Sequence, residues 1–493
     1  MNIRPLPEWT LYRLRYKLAY AVLTVVTLCL LLVFSNAIPP GLSNDEQQSV
    51  IASSQVTFTQ LPSEIIDLPF HALQKLSVQY FGVTPMGVRL PTLIFGAITA
   101  LCTCLMIRRW FTKNVALAAS VIFVTSAWFL SLGRLGTPFI MVPFWTSLLL
   151  LAATYVSQET KNWRWWRVAF SMAAAVSIYT PYMAYVFIAA ALASIAQPHL
   201  RYLVRESNKV NLFIGGFFFA ILLIPLGWGV YKHPSVARDL LAIPASLPDP
   251  MQFLRDFGKA LNNLFNPFNL TTGVIITPAL ALVQTALLAC GGWRLLRDFH
   301  SVRAHFLLIW AALLVPIIGF NPSGIAVLLV PAIMVITIGL NQVVGYWYHI
   351  FPRNPYARLF GLLPLALLLF TIVQASYQRY VYAMLYSPSA GAAFSPDAFL
   401  AQQNIAKVAS ATPLVIVTDD THVQFYQVMA ARRPNTMVTT GATANTSTLP
   451  SSGEWLVQPE QLHFVAANLP AKPSLQLVDD RKDNALRFNV YQR

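Results

Sequence analysis

The chain reads Gly41-Leu42-Ser43-Asn44-Asp45-Glu46-Gln47-Gln48 a few residues after its first hydrophobic span. Two adjacent carboxylates, Asp45 and Glu46, therefore lie close to the point where the chain leaves the bilayer. This position suits an enzyme that works at the boundary between membrane and water. The local alternative is a capping box, because Ser43 and Glu46 have the spacing that starts a helix, here predicted from Asn44 to Ser53.

The composition is that of a membrane protein. Of the 493 residues, 56% are hydrophobic and only 11% are charged, whereas soluble domains carry about 25% charged residues. Several apolar runs reach the roughly 20 residues that a transmembrane helix needs, and the alternating pattern of a barrel is missing. The sequence therefore predicts a polytopic α-helical membrane protein with about 11 spans. They lie near 18–38, 88–107, 114–133, 138–157, 168–180, 182–197, 210–231, 274–293, 304–320, 324–344 and 359–377.

Basic residues mark every second connection between these spans. Eighteen lysines and arginines fall on one face of the membrane and eight on the other. Because cytoplasmic loops are enriched in basic residues, the N-terminus is predicted to be cytoplasmic. An odd number of spans then places the C-terminal part outside the cytoplasm. The net charge of +15 reflects this loop bias, so it does not indicate nucleic-acid binding.

Two domains are predicted from a change in composition. Residues 1–386 form a transmembrane domain with two long outer loops, 39–87 and 232–273. Residues 387–493 carry eight basic and eight acidic residues from Gly391 onward and look like a small extracytoplasmic α/β domain.

Short elements are predicted inside these regions from local patterns. Each outer loop contains an amphipathic helix, near 69–81 and 250–265, suited to lying in the membrane interface. The tail is predicted to contain a strand, a helix and a terminal hairpin, at 413–418, 421–432, 475–478 and 485–490. Residues 446–453 are predicted to be a flexible loop, and residues 387–391 a linker.

Two arginines open candidate binding positions at the outer rim. Arg89 begins the second span, and Arg134 follows the third. Each could be an ordinary interfacial arginine whose charge reaches the lipid headgroups. Together they could instead bind a phosphate, because a guanidinium makes bidentate contacts with phosphate oxygens.

Other outer side chains are candidates for a sugar-binding pocket. His71 and Lys75 lie four residues apart on the first loop helix, where a solvated helix face is the alternative. Tyr179 and Tyr182 flank the Thr180-Pro181 break between two short helices, where a tyrosine belt is the alternative. No nucleotide-binding glycine loop or nucleophile elbow is present. The four cysteines lie in apolar runs, which argues against zinc. No cofactor is indicated, and the sequence does not support a divalent-metal site.

Three short motifs resemble a known family when taken in order. They are Phe81 to Thr84 with Gly87-Val88-Arg89-Leu90-Pro91-Thr92, Leu132-Gly133-Arg134-Leu135-Gly136-Thr137, and Ser177-Ile178-Tyr179-Thr180-Pro181-Tyr182. With the basic N-terminus, one span and the acidic pair, they resemble the C-type glycosyltransferase (GT-C) fold. The similarity is to its bacterial branch, related to protein O-mannosyltransferases and lipid A aminoarabinose transferases, over roughly residues 10–345.

The resemblance implies an inverting glycosyltransferase of the cell envelope that uses a polyprenyl-phosphate sugar, a hexose or a pentose. Asp45 would be the general base and Glu46 its catalytic neighbour, while Arg89 and Arg134 would bind the donor phosphate. The acceptor, a glycan, lipid or protein, stays open, because Gly136-Thr137 stands where many relatives have an acidic residue.

Two other function classes compete with this interpretation. A transporter or lipid flippase would have ionisable residues or broken helices at mid-membrane, and often repeated halves. Here the candidate charges lie in outer loops, and no internal repeat is found. A non-catalytic membrane scaffold that presents the tail domain is the third class.

Overall fold

The computed structural model describes residues 11–33, 35, 38–57, 65–158, 163–198, 201–202, 209–246, 248–266, 271–272, 276–277, 279–350, 356, 360–387, 393–408, 412–433, 435–444, 450, 452–479 and 485–492. The described residues of the membrane part are mainly helical. Its helices are α1 Leu11–Leu32, α2 Asn44–Gln55, α3 Leu68–Phe81, α4 Pro85–Trp110, α5 Lys113–Val124, α6 Ala127–Arg134, α7 Met141–Ser157, α8 Trp163–Ser177, α9 Met183–Ala196, α10 Lys209–Lys232, α11 Ser235–Leu240, α12 Pro250–Phe265, α13 Leu282–Arg297, α14 Val302–Phe320, α15 Leu329–Ile350, α16 Leu362–Tyr377 and α17 Ala383–Tyr386.

In the part of the chain that the structure describes, seven helices are long and apolar enough to cross a membrane. They cover Leu14–Leu32, Pro85–Trp110, Pro138–Ser157, Phe213–Lys232, Val302–Phe320, Gly324–Ile350 and Leu362–Tyr386. An eighth crossing results if α5 and α6, bent by 55°, act as one broken span. The predicted helical membrane class is therefore confirmed. Each predicted span overlaps a helix, but residues 276–277 in the predicted span 274–293 form a short strand, and α13 begins only at Leu282. Helices α8, α9 and α13 have only 15, 14 and 16 residues, so the number eleven stays a prediction.

Glycines bring pairs of membrane helices into backbone contact. A Cβ on Gly96 of α4 would lie 3.2 Å from the Cα of Gly133 in α6, and a Cβ on Gly291 of α13 would lie 2.0 Å from the Val335 carbonyl of α15. Small residues allow such close approach, and the resulting van der Waals packing is one of the forces that associate helices inside a bilayer. Buried apolar side chains form one large core around these contacts.

The predicted loop helices are present. The first loop forms α2 and α3, and the second forms α12 after Asp249, whose side chain makes no capping hydrogen bond. Phe253 of α12 packs against Phe320, with 5.0 Å between the ring centroids. One apolar face of α12 is therefore covered by the bundle. Met251 and Leu254 on the same helix stay exposed, as an interfacial helix requires.

The tail is an α/β domain with a five-stranded sheet. The strands among the described residues are β1 Leu42–Ser43, β2 Thr271–Thr272, β3 Ile276–Thr277, β4 Phe394–Ser395, β5 Leu414–Thr418, β6 Thr436–Thr440, β7 Glu454–Val457, β8 Leu475–Asp479 and β9 Ala485–Gln492. The tail also contains α18 Asp397–Lys407, α19 Val423–Ala430, α20 Gly441–Ala444 and α21 Leu462–Val465. The sheet order is β6-β5-β7-β9-β8, with β5 parallel to β6 and β7, and β9 antiparallel to β7 and β8.

Most predicted tail elements occur in the structure. Strand β5, helix α19 and the β8–β9 hairpin match the predictions, whereas β6 and β7 were not predicted. Strand β6 reads Thr-Met-Val-Thr-Thr, which has too few apolar residues to stand out from a loop. The predicted flexible loop 446–453 and the linker 387–391 lie largely outside the described residues.

The tail is attached to the first outer loop by a strand and a shared core. Strand β4 pairs antiparallel with β1, directly before the acidic pair, with Leu42 opposite Ser395. A Cβ on Gly41 would lie 2.3 Å from the Ser395 carbonyl oxygen. Val50 of α2 belongs to the same apolar cluster as Phe425 of α19. Loop 39–87 and the tail therefore fold against each other, and the domain boundary after residue 386 stays a prediction.

Candidate functional site

The acidic pair lies at the start of α2, and its local geometry is a capping box. The Glu46 backbone N–H donates to the Ser43 hydroxyl at 3.2 Å, and the Ser43 N–H donates to Glu46 Oε2 at 2.9 Å. The local alternative considered above is thus present in the structure. It does not describe the whole role of Glu46, whose carboxylate has further partners.

Glu46 forms a fully buried ion pair with Arg89. Arg89 Nε lies 2.8 Å from Oε1, and Nη2 lies 3.2 Å from Oε2. The remaining Arg89 N–H groups donate to the carbonyls of Ser35, Pro39 and Gly41. All five N–H groups of this guanidinium are therefore used inside the protein. Arg89 has none left for a phosphate in this structure.

Gly136 attaches the motif after the third predicted span to this pair. Its N–H donates to Glu46 Oε1 at 2.8 Å, and its carbonyl accepts from Gln74 Nε2 at 3.0 Å. A Cβ at this position would lie 2.6 Å from Val88 Cγ1, so only glycine fits without displacing α4. Gly136, which follows α6, therefore contacts α2, α3 and α4 next to the acidic pair.

Asp45 differs from its neighbour in having no fixed partner. Its side chain is exposed, and within the described ranges no hydrogen bond or ion pair to its carboxylate is found. Partial burial and the adjacent Glu46 carboxylate raise the pKa of Asp45 above its usual value. Asp45 is thus a carboxylate of increased basicity on a rigid helix start.

Arg134 is a buried cation held by carbonyls at the end of α1. Its Nη1 donates to Leu30 O at 3.2 Å and its Nη2 to Val33 O at 2.8 Å. The side chain is 4% exposed, and its Nε has no hydrogen-bond partner. In the part of the chain that the structure describes, no carboxylate lies within ion-pair distance of it. The carbonyl end of a helix offsets only part of such a charge.

Tyr380 lies beneath this guanidinium and was not predicted as a site residue. The last membrane helix continues after α16 as a π-helical turn, Gln378–Tyr382, which directs Tyr380 into the bundle. The Arg134 Cζ lies 5.4 Å from the centre of its ring. The Tyr380 hydroxyl is buried and has no partner. No sequence pattern predicts a π-helical turn, so this contact could be found only in the structure.

The predicted pocket residues of α3 lie in a polar layer between α2 and α3. The Ser53 hydroxyl lies 2.9 Å from His71 Nδ1 and donates to Gln74 Oε1 at 2.5 Å. Burial lowers the pKa of His71 to about 4, so this imidazole is neutral at pH 7. Lys75 donates to the carbonyl of Val56. His71 therefore supports the loop, and neither residue touches Asp45 through a described contact.

Lys75 also lines a small cavity between the loop helices and the tail. The cavity has a volume of about 190 Å³, and Arg432 of the tail lines it as well. Two cations from distant parts of the sequence therefore face one space, so the tail contributes charge near the loop.

The predicted tyrosines hold the break between α8 and α9. Tyr179 OH donates to Leu222 O at 2.6 Å, and Tyr182 OH accepts from Asn321 Nδ2 at 3.1 Å. Tyr182 has a positive φ of 68°, which fits a sharp turn between two helices. Both side chains are buried and hydrogen-bonded within the bundle, and their part in a sugar-binding pocket stays a prediction.

Asp67 is a second residue that sequence patterns did not single out. It precedes α3 with a φ of 50°, and its N–H donates to Tyr179 O at 2.8 Å. Burial raises the pKa of Asp67 to about 7, and the Thr180 hydroxyl offsets part of this shift. The apolar spacing that predicted the helix near 69–81 gave no sign that this carboxyl would be buried against the α8–α9 break.

A metal site does not emerge from these residues. Across the described ranges, no group of three or more His, Cys, Asp or Glu side chains is arranged to hold a metal ion. The four cysteines are free thiols.

Comparisons with known proteins identify the fold. Residues 69–228 match the sequence model of the family "Dolichyl-phosphate-mannose-protein mannosyltransferase". Curated proteins give no match by sequence. Among solved structures, the chain is similar to ArnT from Cupriavidus metallidurans in the apo state, with 14% identity, 97% of both chains covered and a TM-score of 0.57.

Two further structures agree with this result. ArnT from the same organism bound to undecaprenyl phosphate has 15% identity, coverage of 96% of this chain and 97% of that chain, and a TM-score of 0.58. The oligosaccharyltransferase of Archaeoglobus fulgidus, tethered with an acceptor peptide, has 14% identity, coverage of 87% and 64%, and a TM-score of 0.50. The C-type glycosyltransferase fold predicted from the sequence is confirmed.

Proposed function

We propose that this chain, with its C-type glycosyltransferase fold, is an integral-membrane inverting glycosyltransferase. It transfers a sugar from a polyprenyl-phosphate donor to an acceptor on the non-cytoplasmic side, with Asp45 as the general base. The observation that carries the proposal is the contrast within the acidic pair. The Glu46 carboxylate forms a buried ion pair with Arg89. The Asp45 carboxylate, one residue away at the start of the same helix, is exposed and has no partner among the described residues.

The chemistry needs one base and one stabilised leaving group. The acceptor hydroxyl or amine attacks the anomeric carbon from the face opposite the phosphate, and its proton passes to Asp45. The new bond to the anomeric carbon forms as the bond to the phosphate oxygen breaks, so the configuration inverts. The polyprenyl phosphate leaves as an anion and needs positive charge more than a proton. An exposed carboxylate with a raised pKa suits general-base catalysis near neutral pH.

Arg134 is the residue that we assign to the donor phosphate. A buried cation without a carboxylate partner is unfavourable alone and becomes favourable when an anion binds. Its Nε is free to donate, and Tyr380 beneath it offers an unpaired hydroxyl. The ArnT structure with bound undecaprenyl phosphate supports a polyprenyl-phosphate donor for this fold.

Glu46 and Arg89 support the site without contacting substrate. Through Gly136, their ion pair connects the start of α2 to the segment that carries Arg134. The base and the phosphate ligand are thereby held at a constant spacing, which gives the reacting groups the proximity and orientation that a displacement reaction needs. The sugar and the acceptor class stay open.

A transfer assay with purified protein and labelled polyprenyl-phosphate sugars tests the proposal. Asp45→Asn should keep the fold and donor binding yet lower turnover by roughly a hundredfold or more. Asp249→Asn is the matched control, because Asp249 lies at the start of the other loop helix, α12, and its side chain makes no capping bond. Equal activity of both variants would remove Asp45 from the reaction. Movement of intact donor across vesicles without transfer would support the flippase alternative.

A further inference from the structure

A large cavity whose lining includes several charged and polar side chains lies at the end of the bundle opposite to Asp45. It has a volume of about 660 Å³ and is bordered by the last turn of α13, the connection to α14 and the last turns of α15. Helix α14 starts beside it and ends at Phe320. The next residue, Asn321, donates to Tyr182 at the α8–α9 break, which is tied to the outer loops. Nineteen helical residues separate the two ends, a distance of about 28 Å.

The charge of this cavity is positive. Arg294, Arg297 and Arg303 line it together with a single acid, Asp298. Arg294 pairs with Asp298 at 2.7 Å. Arg297 and Arg303 have no carboxylate partner in the described parts of the chain. Arg303 instead donates to Trp110 O at 2.9 Å, and its Cζ lies 5.1 Å from the indole centre. Two guanidinium charges therefore remain uncompensated.

The packing of α13 and α15 explains why there is space. The two helices touch backbone to backbone at Gly291 and Gly339, where a Cβ would lie within 2.1 Å of a carbonyl oxygen. At Gly345, further along α15, an added Cβ would have no described neighbour within 4 Å. The helices therefore diverge towards this end of the bundle, and the cavity occupies the gap.

Apolar cavities adjoin the basic one on two sides. One has a volume of about 340 Å³, lies between α7, α9 and α14, and shares Arg303 with the basic cavity. Its wall includes Leu149, Phe187 and Phe306. The other has a volume of about 450 Å³, lies between α13, α15 and α16, and shares Gln342 with the basic cavity. A polar site with apolar cavities beside it is matched to an amphiphile.

We infer that these cavities bind one anionic phospholipid. Its phosphate pairs with Arg297 and Arg303, and its fatty chains enter the apolar cavities on either side. Basic pockets between membrane helices are known binding sites for anionic headgroups. The adjoining apolar space favours a lipid over free phosphate, and the paired basic charge favours an anionic lipid over a zwitterionic one. The bound lipid bridges helices that contact each other little at this end.

Binding of fluorescent phosphatidylglycerol to the delipidated full chain in mixed micelles tests the inference. Arg297→Gln with Arg303→Gln should raise its Kd by roughly tenfold or more. Ala190→Phe fills the smaller apolar cavity and leaves every charge in place, so it should weaken binding as well. Arg238→Gln is the matched control, because Arg238 is an exposed arginine of the other end with only Asp239 as a partner.

The competitors decide what the site recognises. Unlabelled phosphatidylglycerol should displace the probe, whereas phosphatidylcholine and inorganic phosphate should not. Equal displacement by phosphatidylcholine or by inorganic phosphate would overturn the inference. Preferential displacement by undecaprenyl phosphate would also overturn it, since the cavities would then hold a donor tail. If the double arginine variant fails to fold, Ala190→Phe decides alone, and unchanged binding in that variant rejects the site.

Discussion

Two acid–arginine combinations near the start of α2 and the ends of α1 and α6 have opposite environments. Glu46 and Arg89 are fully buried, and each satisfies the other together with backbone groups. Asp45 and Arg134 have no such partner: the carboxylate is exposed, and the guanidinium is buried with an unbonded Nε. An acid and an arginine thus form a structural ion pair in one case, Glu46 and Arg89. In the other, Asp45 and Arg134, both charges have no ion-pair partner among the described residues.

The difference teaches how to separate scaffold from chemistry. A buried ion pair that uses all its hydrogen-bonding capacity holds segments in place and has nothing left for a ligand. An open carboxylate and an unpaired cation retain that capacity. Substitutions at Arg89, Asp67, Arg134 and Tyr380 test this difference between side chains that support the site and side chains that are available for a ligand.

Breaking the closed pair should have the largest effect. Arg89→Met leaves the Glu46 carboxylate buried without its cation, which costs roughly 3–5 kcal/mol of unfolding free energy. Thermal unfolding of the purified protein measures the loss, and Arg238→Met on the exposed surface is the control. Arg89→Met combined with Glu46→Gln should recover part of it, because no lone charge remains. An unfolding temperature equal to wild type in the single variant would contradict the scaffold role.

Asp67 is a third acidic residue of this region. Its carboxyl is buried and has no arginine partner among the described residues, and burial raises its pKa. The pKa of Asp67 is about 7 in the fold and lower in the unfolded chain, so the folded state holds the proton that the unfolded state loses. Its contribution is therefore present at low pH and is lost as pH rises through about 7.

Asp67→Asn should remove this dependence and stabilise the protein at pH 8 by roughly 2–4 kcal/mol. His71 has the opposite dependence, because burial lowers its pKa to about 4. Since His71 is common to both proteins, the difference between their unfolding curves from pH 4 to 8 isolates Asp67. Parallel curves would show that the carboxyl is not buried.

Changing the open arginine should affect donor binding. Arg134→Lys keeps the charge and loses the planar fork, which should weaken apparent donor affinity by roughly 1–3 kcal/mol. The donor KM in the transfer assay measures it, and Arg255→Lys on the exposed face of α12 is the matched control. Unchanged donor kinetics in Arg134→Ala would exclude a phosphate contact.

The smallest effect is expected at Tyr380. Tyr380→Phe keeps the ring under Arg134 and removes a buried hydroxyl that has no partner in this structure. The free protein should become slightly more stable, and donor affinity should fall by about 1 kcal/mol, because the hydroxyl gains a partner only from the donor phosphate. A donor affinity unchanged from wild type would leave Tyr380 as packing alone.

Much of the architecture could be predicted because its signals are local. The membrane helices follow from long apolar runs, and α2, α3 and α12 follow from capping residues and helical periodicity. Strands β6 and β7 escaped prediction because each is short and partly polar, and they become strands only by pairing with β5.

The sequence by itself determined the membrane class, the loop helices and the capping box of Ser43 and Glu46, since each depends on residues within a few positions of one another. Only the tertiary structure decided which charged side chains are paired with a partner and which are left available for a ligand. Glu46 meets Arg89 from 43 residues away, Arg134 meets Tyr380 through a π-helical turn, and β4 meets β1 from the far end of the chain. The physical reason is that an ion pair depends on which segments pack together. That packing follows from shape and burial summed over the whole chain and not from local spacing.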